Sequence, residues 1–163
     1  MADIGPTAGS FTIERAVRVT PELIEAMGDL VPQLSPRRAP PSGSELEQVL
    51  GDDRVHLFVG RSSDGAIHGA VALVFYRVPT GVRARIEDLV VSRSHRRLGR
   101  GQALMARAMQ AARDGQAQVL DLTSNPSRTQ ANALYLRLGF RPWRTNVYRL
   151  ELDLPPGHAS TPV

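Results

Sequence analysis

The segment richest in chemistry is Leu89-Val90-Val91-Ser92-Arg93-Ser94-His95-Arg96-Arg97-Leu98-Gly99-Arg100-Gly101, an apolar strand pattern that runs into an Arg- and Gly-rich turn and then a helix start. Backbone N–H groups in the first turn of a helix have no partner inside it and carry the positive end of its dipole, so an anion can rest on them. Glycines at 99 and 101 let the backbone come close, and Arg96, Arg97 and Arg100 can add charge-assisted hydrogen bonds to phosphate oxygens. The spacing Arg-x-x-Gly-x-Gly is not a Walker A loop, because the chain has no lysine. It is not a dinucleotide fingerprint either, because the third glycine is missing. Alone, the turn reads equally well as a basic, solvated loop, and its neighbours must decide.

Those neighbours come in a definite order. Phe11 to Val17 alternates like a strand. Thr20 reads as a helix N-cap, with Pro21 in the first turn and Leu23, Met27 and Leu30 at helical spacing. Pro32 to Gly43, with four prolines and two arginines, is expected to be an irregular loop before a second helix starting near Ser44. Val55 to Arg61 and Ala66 to Arg77 flank Ser62-Ser63-Asp64-Gly65, which is hairpin chemistry, because Asp-Gly tolerates the positive φ of a tight turn. A third run, Arg83 to Ser92, leads through the Arg/Gly turn to an amphipathic helix from Gly101 to Asp114, closed by Gly115. A strand Gln118 to Ser124, a helix Ser127 to Leu138 ended by Gly139, and a final strand Asn146 to Leu154 complete the order. Strands early and strand–helix units late predict an α+β fold, antiparallel in its first half, with a parallel strand–helix–strand crossover in its second.

With 163 residues, 42% hydrophobic and 22% charged, the chain has globular composition. One domain is expected over residues 11–154, with loose tails at 1–10 and 155–163. Absence of cysteine excludes disulfide frameworks, iron–sulfur clusters and thiol nucleophiles. No histidine pair has ligand spacing, so no metal is expected. No basic-then-apolar leader opens the chain and no window reaches the ~20 apolar residues of a bilayer span, so a cytoplasmic location is the expectation and no membrane partner is. The net charge is +4, and all 20 basic residues are Arg. That suits a phosphorylated ligand, although GC-rich coding, which favours Arg, Ala, Gly and Pro, is the stronger explanation.

Arg-x-x-Gly-x-Gly after the strand Ile86-Glu87-Asp88-Leu89-Val90-Val91 resembles the acetyl-CoA site of the GNAT family of N-acetyltransferases. Leu120-Asp121-Leu122-Thr123-Ser124-Asn125, then Ala131-Asn132-Ala133-Leu134-Tyr135 and Leu138-Gly139-Phe140, resemble that family's later strand, helix and Gly-Phe signature. Together they cover Ile67 to Leu154. The resemblance implies a mixed, mostly antiparallel central sheet of six to seven strands flanked by about four helices. It implies acetyl-CoA as co-substrate and transfer of its acetyl group to a primary amine by direct attack in a ternary complex.

The same resemblance implies roles for residues. Leu89, Val90 and Val91 would pair with the pantetheine arm as an added strand would, with a backbone N–H near Leu89 or Val90 as oxyanion donor. Arg96, Arg97, Leu98, Gly99, Arg100, Gly101 and Gln102 would hold the pyrophosphate. Asn125 and Asn132 would bind the pantetheine or cysteamine portion. Tyr135 matches the general acid that protonates the leaving thiolate, and on helical spacing it shares a face with Arg128, Ala131 and Asn132. Glu87 is the candidate base, with Asp88 on the opposite face unless a bulge resets the alternation. His95 reads as a solvated residue or a contact to the coenzyme's 3′-phosphate.

Two other readings compete. The arginines could contact nucleic-acid phosphate, but no interleaved aromatics or base-reading motif accompany them, so no nucleic acid is expected. A catalytically silent acyl-CoA sensor would show the same turn. The acceptor is a small-molecule or peptide amine, with selectivity assigned to the first helices, the Pro32–Gly43 loop and the Val78–Val82 connection. A homodimer stays open.

Overall fold

The computed structural model describes residues 11–150 and 152, which fall into two compact units divided between Leu122 and Thr123. The first unit is built on one sheet of order β1 (Thr12–Arg15), β2 (Val55–Arg61), β3 (Ile67–Val78), β4 (Gly81–Val91) and β5 (Val119–Asp121). β1 to β4 are antiparallel neighbours, and β5 joins β4 in parallel. The β2–β3 hairpin turns as its sequence requires. Gly65 has φ 85°, the Ser62 N–H donates to Ala66 O at 3.0 Å, and the Asp64 carboxylate accepts the Ala66 N–H at 3.0 Å.

Helices cover both faces of the sheet. α1 (Pro21–Leu34) starts where Thr20 Oγ1 accepts the Leu23 N–H at 3.3 Å. α2 (Gly43–Gly51) starts on a reciprocal capping box between Ser42 and Glu45, one residue earlier than expected. Leu23, Ala26, Met27 and Leu30 of α1 and Leu46 of α2 bury against Leu57, Val59, Ile67, Ala70 and Val90. On the other face α3 (Arg100–Asp114) carries Leu104, Met105 and Ala108, all fully buried, as are Phe58, Val71 and Leu73 of the sheet. α3 lies so close to β3 that a β-carbon on Gly69 would come within 2.9 Å of Leu104 Cδ1.

Two expectations change. α1 runs through Pro32 to Leu34, so the irregular segment is shorter than Pro32–Gly43. Proline in a last turn forfeits a single intrahelical bond, and Ser35 N–H closes the helix on Val31 O at 2.9 Å. The strand expected over Asn146–Leu154 does not form over its described part: residues 141–150 hold neither helix nor strand, and Val147, Tyr148 and Leu150 are exposed. Residues 151, 153 and 154 lie outside the described residues. Among the described residues the sheet therefore has five strands rather than six to seven. Alternation states which side chains a strand would bury, whereas pairing with a neighbour makes the strand.

In the second unit α4 (Thr129–Arg137) ends in a complete Schellman motif. Gly139, at φ 92°, donates to Leu136 O at 3.1 Å, and Phe140 N–H reaches back to Tyr135 O at 3.0 Å. No helix among the described residues is long and apolar enough to cross a membrane.

Two glycines make opposite tests. Gly28 lies inside α1, where an added β-carbon meets nothing within 4 Å. Gly28→Ala should raise stability by about 0.5–1 kcal/mol, read as a higher urea midpoint. Gly99, the residue before α3, has φ 73° with similarly open space. Gly99→Ala should cost about 1 kcal/mol by the same measurement and Gly99→Asn less, since asparagine tolerates the left-handed region.

Candidate active site

β4 is paired on one side along its length and on the other only at its start. Arg83, Ala84 and Arg85 pair with Val119, Leu120 and Asp121, and the Gln118 N–H donates to Val82 O at 2.9 Å. β5 then ends. From Ile86 to Val91 that edge of β4 has no strand partner among the described residues. A sheet edge of this kind is a template for another extended chain.

The same stretch holds a β-bulge. β3 pairs Ala72 with Glu87 and then Ala70 with Val90, so Val71 spans both Asp88 and Leu89. Asp88 takes the extra residue's strain at φ 52°, a conformation aspartate accepts more easily than most. The alternation resets, as the bulge exception allowed. Glu87 ion-pairs with Arg85 two residues back. Asp88 is exposed, yet the protein packed around its carboxyl penalises the charge, and Glu87 repels it. Together these raise its pKa, while Arg38 from the α1–α2 connection pulls it down.

Beyond β4, a short 3-10 turn (Arg93–His95) leads to the start of α3. Arg97 and Gly99 are both left-handed, at φ 64° and 73°, which folds the chain back so that α3 begins without a side-chain cap. The first helical bond is Ala103 N–H to Gly99 O at 3.0 Å. The amides of Arg100, Gly101 and Gln102 precede it and have no partner within the helix, the condition for anion binding.

The arginines divide the work. Arg96 Nε donates to Val91 O at 3.0 Å, tying the turn to the end of β4. Arg97 and Leu98 are exposed. Arg100 lays its guanidinium 4.6 Å over the Phe11 ring, with Nη1 buried and lacking a partner. Phe11 reaches that position by lying across Gly60, where a β-carbon would clash with its ring at 2.1 Å. His95 stacks on His68, ring centroids 3.6 Å apart, and its Nδ1 is 2.8 Å from Ser94 Oγ. Desolvation first, then the charges of His95 and Arg100, lower the His68 pKa. Phe11, His68 and Arg38 were not singled out as site residues from sequence, since only the β1–β2, β2–β3 and α1–α2 geometry brings them there.

In the second unit Tyr135 is buried, with 7% of its surface exposed. Burial raises its phenol pKa, with Arg128 opposing. The Schellman motif explains the neighbouring Gly-Phe signature: it returns Phe140 to meet Tyr135 edge-on at 6.1 Å between ring centroids. Asn132 Nδ2 donates to Asn125 O at 3.0 Å, and Asn125 Oδ1 accepts the Ser127 N–H at 2.9 Å. Both asparagines therefore shape the approach to α4. Glu87 and the turn residues thus share the first unit, and Asn125, Asn132 and Tyr135 the second. Among the described residues no group of three His, Cys, Asp or Glu side chains could hold a metal ion.

Residues 22–140 match the acetyltransferase (GNAT) family. Among solved structures, a protein of Agrobacterium tumefaciens superposes with a TM-score of 0.76 at 18% identity, covering 86% of this chain and 99% of that one. AAC(6')-Iy, in complex with the bisubstrate analog CoA-S-monomethyl-acetylneamine, gives 0.70 at 20% identity over 88% and 99%. An aminoglycoside acetyltransferase from an uncultured soil metagenomic sample, in complex with trehalose, gives 0.74 at 17% over 88% and 97%. A comparison with curated protein sequences found no significant match. At these identities the structures speak for the fold, and the sequence match across most of the chain carries the assignment: this chain belongs to the GNAT family of acetyltransferases.

Proposed function

We propose that the chain transfers the acetyl group of acetyl-CoA to a primary amine by direct attack in a ternary complex. The observation that carries this is the succession, within one unit, of an unpaired β4 edge, a bulge and an uncapped helix start. The pyrophosphate rests on the amides of Arg100, Gly101 and Gln102 in the turn that Arg96, Arg97, Leu98 and Gly99 shape. The amide-bearing pantetheine arm then extends along Leu89, Val90 and Val91 as a short added strand. Asn125 and Asn132 support its cysteamine end.

The acceptor nitrogen attacks the thioester carbonyl carbon, and the carbonyl oxygen becomes an oxyanion held by a backbone N–H near Leu89 or Val90. As the intermediate collapses the C–S bond breaks, and the thiolate takes the Tyr135 proton. The raised pKa of that buried phenol keeps it protonated until then. The proton lost by the nitrogen goes to the Glu87–Asp88 carboxylate pair. Glu87 is the proposed base, and Asp88 is the member whose pKa is raised.

A thiol-release assay with acetyl-CoA and a panel of primary amines tests the reading; saturable release is expected, and no release with any amine contradicts it. Tyr135→Phe should lower kcat about a hundredfold while leaving the coenzyme Kd nearly unchanged. The pH sign follows from Asp88. Its pKa lies above the ordinary carboxylate value, so folding free energy favours its protonated form and is eroded as pH rises through the shifted pKa. Asp88→Asn should therefore flatten the fall in stability with rising pH in that range, read by thermal unfolding against pH.

A further inference from the structure

We propose that the acceptor carries, besides its amine, an anionic group, a carboxylate or a phosphate, which Arg38 receives while the ammonium faces Asp88. This rests on the acetyl-transfer reading above and names its substrate class. The α1–α2 connection is fixed at both ends. Gln33 Oε1 accepts the Arg93 N–H at 2.9 Å, joining the end of α1 to the segment after β4. The Ser42–Glu45 capping box sets the other end. Between them stand Arg37 and Arg38, and from Gln33 to Ser44 there is no acidic residue.

Arg38 lies within Coulombic reach of the Asp88 carboxyl at the bulge. Both residues are exposed, and among the described residues neither is closed into an ion pair. Glu87, by contrast, is already paired with Arg85. With the end of α1 tied to the segment after β4 through Gln33 and Arg93, the connection holds a guanidinium within Coulombic reach of the bulge's carboxylate, and each is available to a ligand. A zwitterionic acceptor complements both charges. A polycation such as an aminoglycoside satisfies Asp88 but brings its remaining ammonium groups against a loop that is purely basic.

The test compares amines that differ by one anionic group, assayed by thiol release with acetyl-CoA: propylamine against β-alanine for carboxylate, ethanolamine against phosphoethanolamine for phosphate, and neamine as the polycation. Wild type should favour the anionic member of at least one pair by about fivefold in kcat/KM, the upper range for an exposed charge pair. That preference should shrink as salt rises from 0.01 M to about 0.5 M. In Arg38→Glu the ratio should fall to about one or invert. The ratio is internal to each protein, so a variant that folds in lower yield still reports it. Turnover with no anionic preference, a preference retained in Arg38→Glu, or neamine as the best acceptor overturns this proposal and leaves acetyl transfer standing. Absence of thiol release with every amine overturns acetyl transfer and this proposal with it.

Discussion

Everything proposed for this chain depends on one asymmetry in β4. Hydrogen-bonding groups on a sheet edge are satisfied by a neighbouring strand, by water or by a ligand. β4 has β3 beside it throughout but β5 only to Arg85. Because β5 is three residues long and parallel, its register cannot be extended by a hairpin, and the chain after Asp121 leaves the ladder. The edge left over lies immediately before the turn that exposes the first amides of α3. A ligand with an amide-bearing arm and a pyrophosphate at one end matches that order of backbone groups.

The surrounding structure keeps this edge rigid. β3 runs for 12 residues along the other side of β4, α3 packs close over Gly69, and Arg96 ties the turn to Val91. The bulge costs local strain at Asp88 and Arg97 adds another left-handed residue. One strained position lies within the unpaired edge and the other in the turn beyond it, where fixed geometry matters most. Burial of Arg100 Nη1 without a partner makes the same point in charge. A half-buried guanidinium on an aromatic ring gains from a phosphate oxygen what solvent does not supply.

The sequence was most readable where structure is local. Thr20 and Pro21, the Asp64–Gly65 turn and Gly139 each act within a few residues, and each sits where its own chemistry places it. The Arg/Gly turn was legible for the same reason, since strand, glycine and helix start are contiguous. Alternation predicted a strand over Asn146–Leu154, yet Tyr148 and Leu150 are exposed, because pairing depends on residues far away in the chain. Arg38 within Coulombic reach of Asp88, Phe11 under Arg100 and His68 against His95 join positions dozens of residues apart, and no local spacing signals them. Tyr135 was legible as a helix residue before Gly-Phe, while its burial and raised pKa required the fold.

The most direct measurement is amide hydrogen exchange with and without acetyl-CoA. The account predicts slowed exchange in two separate sets, the β4 amides from Leu89 to Val91 and the α3 amides of Arg100, Gly101 and Gln102, saturating together at one coenzyme concentration. Protection at the turn with none along β4 would reduce the site to a simple phosphate clasp and contradict the strand-like binding of the coenzyme on which the mechanism depends.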